Sequence, residues 1–352
     1  VETGLILFHI SVTNILRMGD NPLLFDRQVS GMLLVTMEVF RMGIKSFFIN
    51  QSTAQFWAEA RKTPQYSLFD FLHGYIYGRW THLYIAIGTG RHPLAKKLAP
   101  LAAWVEKQST AGKPAIADTD AVSMADTYHG KALPLASARQ LVLINEDINI
   151  PDLEQVIPYK RARAIILKNP AHVVALNCPC RAAKPNPCLP LDVCLVVGEP
   201  FASFVMEHNP DQARWITQQQ AVEILEAEDR RGHVHHAFFK DAMLGRFYAI
   251  CNCCACCCGA LHAHQTGTPM LASSGYVAQV DEDLCMSCAD CVDHCQFGAL
   301  SMGSLYSQVD VEKCMGCGVC VEKCQVEALS LKRDPGKGEP LEILALMEKA
   351  AG

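Results

Sequence analysis

Two hydrophobic patterns alternate along the chain, and each predicts a different element. Gln218 to Arg231 carries the sharpest helical signal: Thr217 and Gln220 match a capping box at its start, and Gly232 supplies a stop. Tyr159 to Lys168 also predicts a helix, with Lys160, Arg161 and Arg163 alternating with apolar positions between Pro158 and Pro170. Such a helix would present a solvated basic face, or a docking face for an acidic electron-transfer partner. Leu341 to Ala351 reads as a short amphipathic helix behind the breaker Asp334 to Gly338. Val29 to Ile49 is long enough to cross a bilayer, but Glu38, Arg41 and Lys45 interrupt it on one helical face. An amphipathic helix is expected there, packed in a core or lying on a membrane or partner. The run Gly4 to Ile10 is too short to span. Val173 to Leu176 predicts a strand, and the polar, small stretch 106–120, with Gly112 and Pro114, predicts a linker.

Six aromatic residues, Phe69, Phe71, Tyr75, Tyr77, Trp80 and Tyr84, crowd into 16 positions with His73, Arg79 and His82 between them. Side chains with an apolar body and a polar tip suit a domain core edged by histidines, a docking surface, or the wall of a hydrophobic pocket. The string Leu83 to Gly90 ends in IGTG, but Pro93 occupies the third glycine position of a dinucleotide loop. No nicotinamide site is expected there, and no flavin site is evident.

At 352 residues and 50% hydrophobic content the chain has the length of about two domains and an ordinary globular composition. A net charge of −5 offers no general attraction to nucleic acid. The sequence opens on Val1 without a basic leader, so no secretory signal is expected. What changes the picture is cysteine. There are 18, bunched at ligand spacings, which points to metal in a reducing, cytoplasmic compartment rather than to disulfides.

One motif occurs twice. CMSCADCVDHC supplies Cys285, Cys288, Cys291 and Cys295; CMGCGVCVEKC supplies Cys314, Cys317, Cys320 and Cys324. Each has the spacing C-x2-C-x2-C-x3-C, and the repeat extends to Val280-Asp281 with Val309-Asp310 and to Ala299-Leu300-Ser301 with Ala328-Leu329-Ser330. Three thiolates of one tight loop can cap three irons of a cubane while a remote thiolate takes the fourth. Zinc is the competing reading, since it also favours paired cysteines. Two evenly spaced four-cysteine runs are less natural for it.

Upstream, Cys178, Cys180, Cys188 and Cys194 are spaced C-x-C-x7-C-x5-C, with Pro185, Pro187 and Pro190 stiffening the loop between them. Arg181 beside Cys180 would favour the thiolate. A second block, CNCCACCC, holds Cys251, Cys253, Cys254, Cys256, Cys257 and Cys258. As a helix it would put Cys251, Cys254 and Cys258 on one stripe and Cys253, Cys256 and Cys257 on another. As a strand it would send neighbours to opposite faces. These ten cysteines are candidates for one or two extra iron–sulfur clusters, or for a zinc knot. His233, His235 and His236 stand nearby as further ligands or proton carriers.

The C-terminal stretch resembles a bacterial-type ferredoxin domain with two 4Fe-4S clusters. The resemblance implies crossed ligand sets: Cys285, Cys288, Cys291 and Cys324 on one cluster, and Cys314, Cys317, Cys320 and Cys295 on the other. The family's usual proline after each fourth cysteine is replaced by Gln296 and Gln325. With NCPCR at Asn177 to Arg181 and the CNCCACCC block, residues 120–340 resemble bacterial iron–sulfur-binding ferredoxin proteins with no assigned reaction.

The expected fold is α+β: mainly helical N-terminal and middle regions and a C-terminal ferredoxin-like two-cluster domain. The expected boundaries are 1–110 (helical), 111–270 (cysteine-rich, with the additional clusters), 271–333 (ferredoxin) and 334–352 (tail helix). The expected function is electron transfer through low-potential clusters to or from a redox partner protein, with peripheral membrane or complex association open. The alternative is an oxidoreductase whose active centre is an extra cluster or cofactor in the middle domain, fed by the ferredoxin domain.

Overall fold

The computed structural model describes residues 50–110 and 122–351. The apolar run Gly4 to Ile10, the amphipathic stretch Val29 to Ile49 and most of the linker at 106–120 lie outside the described residues. Residues 106–110 end a helix, Ala95–Thr110, that follows three others, Gln51–Ala60, Leu68–Arg79 and Thr81–Gly88.

The middle region is built on one eight-stranded sheet, which corrects the expectation of a mainly helical middle. Its strands are β1 (Tyr128–Leu133), β2 (Ile148–Ile150), β3 (Ile165–Leu176), β4 (Cys194–Glu199), β5 (Ala213–Ile216), β6 (Val234–Lys240), β7 (Arg246–Cys253) and β8 (Leu271–Ala272). They run in the order β2-β3-β4-β7-β6-β1-β8, with β5 also pairing β3. Among these strands β1 and β8 pair in parallel and the other pairs are antiparallel. Both faces are covered. Val173, Ala175, Leu195, Val197, Phe239 and Phe247 face one core with the helices Leu135–Leu143 and Gln218–Arg230. Val174, Leu176, Val196, Phe238 and Tyr248 face a second, with Phe56, Tyr77, Phe201 and Phe204. A strand buried on both sides reads as a continuous apolar run rather than an alternating one. Periodicity alone cannot separate such a run from a buried helix.

The helix expected over Tyr159 to Lys168 is a second correction. Residues from Ile165 onward belong to β3, and the basic residues before them are anchored instead of solvated. Arg163 is buried and reaches Asp152 at 2.8 Å, and Arg161 lies 3.9 Å from Asp241. Pro170 fits inside β3 because the register with β4 slips between Lys168 and Val173, the kind of bulge at which a strand tolerates proline. The helix Gln218–Arg230 stands as expected, with the reciprocal Thr217/Gln220 cap formed and Gly232 at φ 79° past its end. The terminal helix Ile343–Ala351 packs Ile343, Leu346 and Met347 on the first core.

A third, smaller core lies in the C-terminal region. Here β9 (Tyr276–Val280) pairs antiparallel with β12 (Leu329–Arg333), and β10 (Leu300–Met302) with β11 (Ser307–Val309). The repeat legible in the sequence is a repeat in space. Asp281 N–H donates to Ala328 O and Asp310 N–H to Ala299 O, at 2.8 and 2.7 Å. The Asp281 carboxylate then accepts from the amides of Asp283 and Leu284, and that of Asp310 from Glu312 and Lys313, so each turn into a cysteine run is capped alike.

Candidate metal centres

In the C-terminal region each cysteine run forms a loop and a short helix, Asp290–His294 or Val319–Lys323. Each helix starts from a left-handed residue, Ala289 or Gly318. Cys285, Cys288 and Cys291 line one cavity together with Cys324, and Cys314, Cys317 and Cys320 line another together with Cys295. Backbone amides point at sulfur. Ala299 and Ala328 N–H donate to Cys295 and Cys324, both at 3.2 Å, and Ala278 N–H donates to Cys314 at 3.3 Å. All-thiolate donors with N–H groups aimed at sulfur fit an iron–sulfur cluster, whose added electron such bonds stabilise.

The two copies differ in exposure. Around the first run Cys288, Met286 (67% exposed) and Leu305 (74%) meet solvent. Around the second, Cys314, Met315, Val319 and Cys320 are buried, and Met315 packs into the core of the middle region. Gly316, at φ 62°, lies so close to Tyr276 that a Cβ would stand 2.1 Å from its carbonyl oxygen. Its counterpart Ser287 holds the same left-handed conformation, at φ 58°, in a more open setting.

The sheet sorts the other ten cysteines into six and four. Cys178, Cys180, Cys194, Cys251, Cys253 and Cys258 line one cavity of about 200 Å³, which Cys254 and Cys257 also border. They come from the end of β3 and the turn beyond it, the start of β4, the end of β7 and the turn before the helix Gly259–Gln265. Thiol contacts run from Cys251 to Cys194, Cys178, Cys180, Cys258 and Cys253 in turn, the last pair 3.4 Å apart. Cys180 and Cys194 hydrogen bond to Cys178 and, with a further contribution from Arg181, hold its thiol well below the usual range. Those same contacts, with burial, push Cys180 and Cys194 up. Cys188, Cys254, Cys256 and Cys257 form a tighter group at the cavity's edge, their sulfurs all within 4.8 Å of one another. The second block follows the strand arrangement only at its start. It is extended through Cys253, which keeps Cys251 and Cys253 on one face, and then turns before Cys258.

A buried polar layer backs the six thiols. Arg181, 1% exposed, donates to Glu228 at 2.5 Å, to Asn252 O at 3.0 Å and to Pro190 O at 2.6 Å. Glu228 also meets His233 at 2.6 Å, and His235 meets Asn252 at 2.6 Å. His233 and His235 each use Nδ1 in these contacts, and neither lines the cavity. His236, opposite Cys251 across β6 and β7, is wholly buried with both ring nitrogens unpartnered, and burial pulls its pKa down to about 3. Arg91, which sequence reasoning passed over, donates to the carbonyls of Cys180 and Cys257 at 3.0 and 2.7 Å.

The far wall of the cavity is aromatic. Tyr77 and Tyr248 share a hydroxyl contact of 2.7 Å, and the Lys240 ammonium lies 4.9 Å from the ring centre of Tyr77 and 4.6 Å from that of Tyr128. Burial pushes the phenols of Tyr77, Tyr128 and Tyr248 up, and that of Tyr84 to about 12. Of the crowded aromatics, Tyr77 and Tyr84 reach this wall, whereas Trp80 is half exposed. Tyr128, Lys240 and Tyr248 carried no signal in the sequence, because only the β1–β6–β7 pairing assembles them.

Gln296, standing where the ferredoxin pattern has proline, joins the two regions. Its side chain accepts from Ala255 N–H at 2.7 Å, inside the CNCCACCC turn, and donates to Gly232 O at 2.8 Å. Phe297 beside it packs against His236 and His264.

Residues 278–301 and 307–330 match the family described as Fer4, a 4Fe-4S binding domain. A ferredoxin-type domain that binds 4Fe-4S clusters is thus present near the C-terminus, and its two motifs fit two clusters. No curated protein matches the chain.

Proposed function

We propose that this chain is a multi-cluster electron-transfer protein whose clusters occupy both the ferredoxin domain and the middle sheet. In this reading Cys285, Cys288, Cys291 and Cys324 hold one 4Fe-4S cluster and Cys314, Cys317, Cys320 and Cys295 the other. Cys178, Cys180, Cys194, Cys251, Cys253 and Cys258 hold a further iron–sulfur centre. When bound, such clusters supply low-potential one-electron carriers. The observation that carries the reading is the Gln296 bridge, which fixes the turn bearing Cys295 directly on the turn bearing Cys253, Cys254 and Cys258. Val319, Phe297 and Met315 exclude water from the buried side of the ferredoxin domain. The exposed rim at Met286, Cys288 and Leu305 is the side on which a redox partner would dock. Arg181, paired with Glu228, sets positive charge behind the six thiolates and offsets theirs.

Eighteen cysteines bunched at ligand spacings suit metal binding in a reducing compartment rather than disulfides. Among the described residues no helix is long and apolar enough to cross a membrane, and peripheral association belongs to the proposal only as an option for the partner.

The test is iron and acid-labile sulfide per chain in anaerobically purified protein, followed by EPR during stepwise reduction. The expected result is two cubane signals plus a third iron–sulfur signal, with more than eight irons per chain. Eight or fewer irons would remove the middle centre, and absence of cubane signals would remove the electron-transfer reading altogether.

The cavity favours a second reading, an oxidoreductase whose active centre lies at the six thiols. Tyr77, Tyr128 and Tyr248 keep their protons there, and Lys240 places a cation opposite the thiols. A change in the third EPR signal when a small anionic ligand such as azide or cyanide is added would favour it. A signal indifferent to both would leave the carrier.

A further inference from the structure

Cys188, Cys254, Cys256 and Cys257 are set apart from the other fourteen cysteines by the closeness of their sulfurs. Cys256 Sγ lies 3.1 Å from Cys188 Sγ, 3.4 Å from Cys254 Sγ and 3.7 Å from Cys257 Sγ. All four fall within 4.8 Å of one another. Around one tetrahedral ion with metal–sulfur bonds of about 2.3 Å, neighbouring sulfurs stand about 3.8 Å apart. A cubane asks for more room, because each thiolate caps a different iron and the inorganic sulfides lie between them. The ferredoxin region provides the standard within the same molecule. Its eight cysteines match a 4Fe-4S family, and they do not draw together in this way. Among the described residues no other group of cysteine, histidine or carboxylate side chains is as tight.

We propose that Cys188, Cys254, Cys256 and Cys257 bind a single four-coordinate soft metal ion, zinc or iron, with no inorganic sulfide. Four thiolates in tetrahedral reach select these two metals. Three of the ligands come from one turn and the fourth from the proline-stiffened loop between Cys180 and Cys194. The ion therefore staples that loop to the turn, and Cys254 and Cys257 of the turn, with Cys180, Arg181 and Cys194 at the loop's ends, also line the six-thiol cavity. Cys254 and Cys257 are buried and Cys256 is exposed, so the site is open to loading from solvent. Nothing in this assignment requires the middle iron–sulfur centre to exist.

The experiment counts metal against sulfide. Iron, zinc and acid-labile sulfide are measured per chain in the anaerobically purified protein and in the double variant Cys188→Ala, Cys256→Ala. These are two of the less buried ligands, and the substitutions leave every ferredoxin cysteine in place. The expected result is one ion per chain in excess over sulfide, lost in the variant while sulfide and the cubane EPR signals stay unchanged. If the ion is zinc, zinc disappears. If it is iron, one iron disappears together with a high-spin ferric signal. Loss of several irons with an equal number of sulfides would overturn the proposal, because the four would then belong to a cluster, and so would an unchanged metal count. Should the variant fail to fold, X-ray absorption on the wild-type protein decides. For zinc, four sulfurs in one shell without metal–metal scattering support the site, and zinc bound by fewer sulfurs counts against it. With no zinc, iron in excess of sulfide by one supports the site, and parity overturns it.

Discussion

The ferredoxin region and the six-thiol cage solve one problem, holding several thiolates close together, by opposite means. In the ferredoxin region short spacing does most of the work. Three cysteines of each run share one loop, the repeat supplies a second loop, and a single crossing brings in the fourth sulfur. In the cage no short spacing suffices. Its sulfurs arrive from strand ends and turns as far apart in sequence as Cys178 and Cys258, and the order β3-β4-β7 brings them together. The first solution is portable and tolerates exposure. The second depends on a buried sheet and on buried charge, and it should be correspondingly easier to break.

The largest expected effect tests that dependence. Arg181→Met removes the buried partner of Glu228, which keeps Arg231 at 2.9 Å and His233 at 2.6 Å; the loss should approach but not exceed about 3–5 kcal/mol, and a urea titration should show the midpoint fall. Lys313→Met, at the exposed Lys313–Asp310 pair of the ferredoxin region, should leave the midpoint in place. If the two variants behave alike, the contrast between the regions is wrong.

Next in size is a comparison between the two ferredoxin copies. Gly316→Ala puts a Cβ against Tyr276 O in a left-handed conformation and should destabilise by about 2–3 kcal/mol. Ser287→Gly, at the matching position of the exposed copy, should shift stability by less than about 1 kcal/mol. Thermal denaturation of both variants checks the pair, and equal losses would deny the asymmetry.

Gln296→Pro probes the seam between the regions. Removing its two side-chain hydrogen bonds to the middle region should cost about 1–2 kcal/mol. Hydrogen exchange at the Ala255 amide should quicken, while both ferredoxin EPR signals persist. An unchanged exchange rate would mean that Gln296 does not hold the regions together.

The effect smallest at each step is in pH, where it is spread over several units. Lys131, on β1, donates to Glu339 O at 2.7 Å, and burial, with Arg333 nearby, lowers its pKa to about 7. Between that value and the ordinary lysine value the unfolded chain holds a proton the folded one lacks, so stability should rise with pH over this window, by at most about 1.4 kcal/mol per unit. Below pH 7 both states are charged and the burial penalty is constant. Lys131→Met should flatten the rise, as read from urea midpoints across the window. A slope unchanged by the substitution would remove Lys131 as its source.

Much of the ferredoxin half was legible because its determinants are local: the repeat, the cysteine spacing and the aspartates at each turn all fall within a few residues. The helix Gln218–Arg230 was legible for the same reason, through its cap. The middle sheet was not. Burial on both faces erased the alternation that marks a strand, so Ile165 to Lys168 read as helix and the region as a whole as mainly helical. The ten remaining cysteines were recognisable as candidate ligands, but their division into six and four was not.

By itself, then, the sequence determined the chemistry available: thiolates in quantity, two repeated cluster loops, and an arginine beside Cys180. Only the tertiary structure decided who meets whom. The pairing of β7 with β4 and β6 puts Cys251 and Cys253 near Cys194 and Cys178, leaves Cys256 to Cys188, and sets Tyr77, Tyr128, Tyr248 and Lys240 opposite. The reason is physical: local spacing fixes distances within one turn, whereas contacts between distant segments follow from which faces of the sheet are buried.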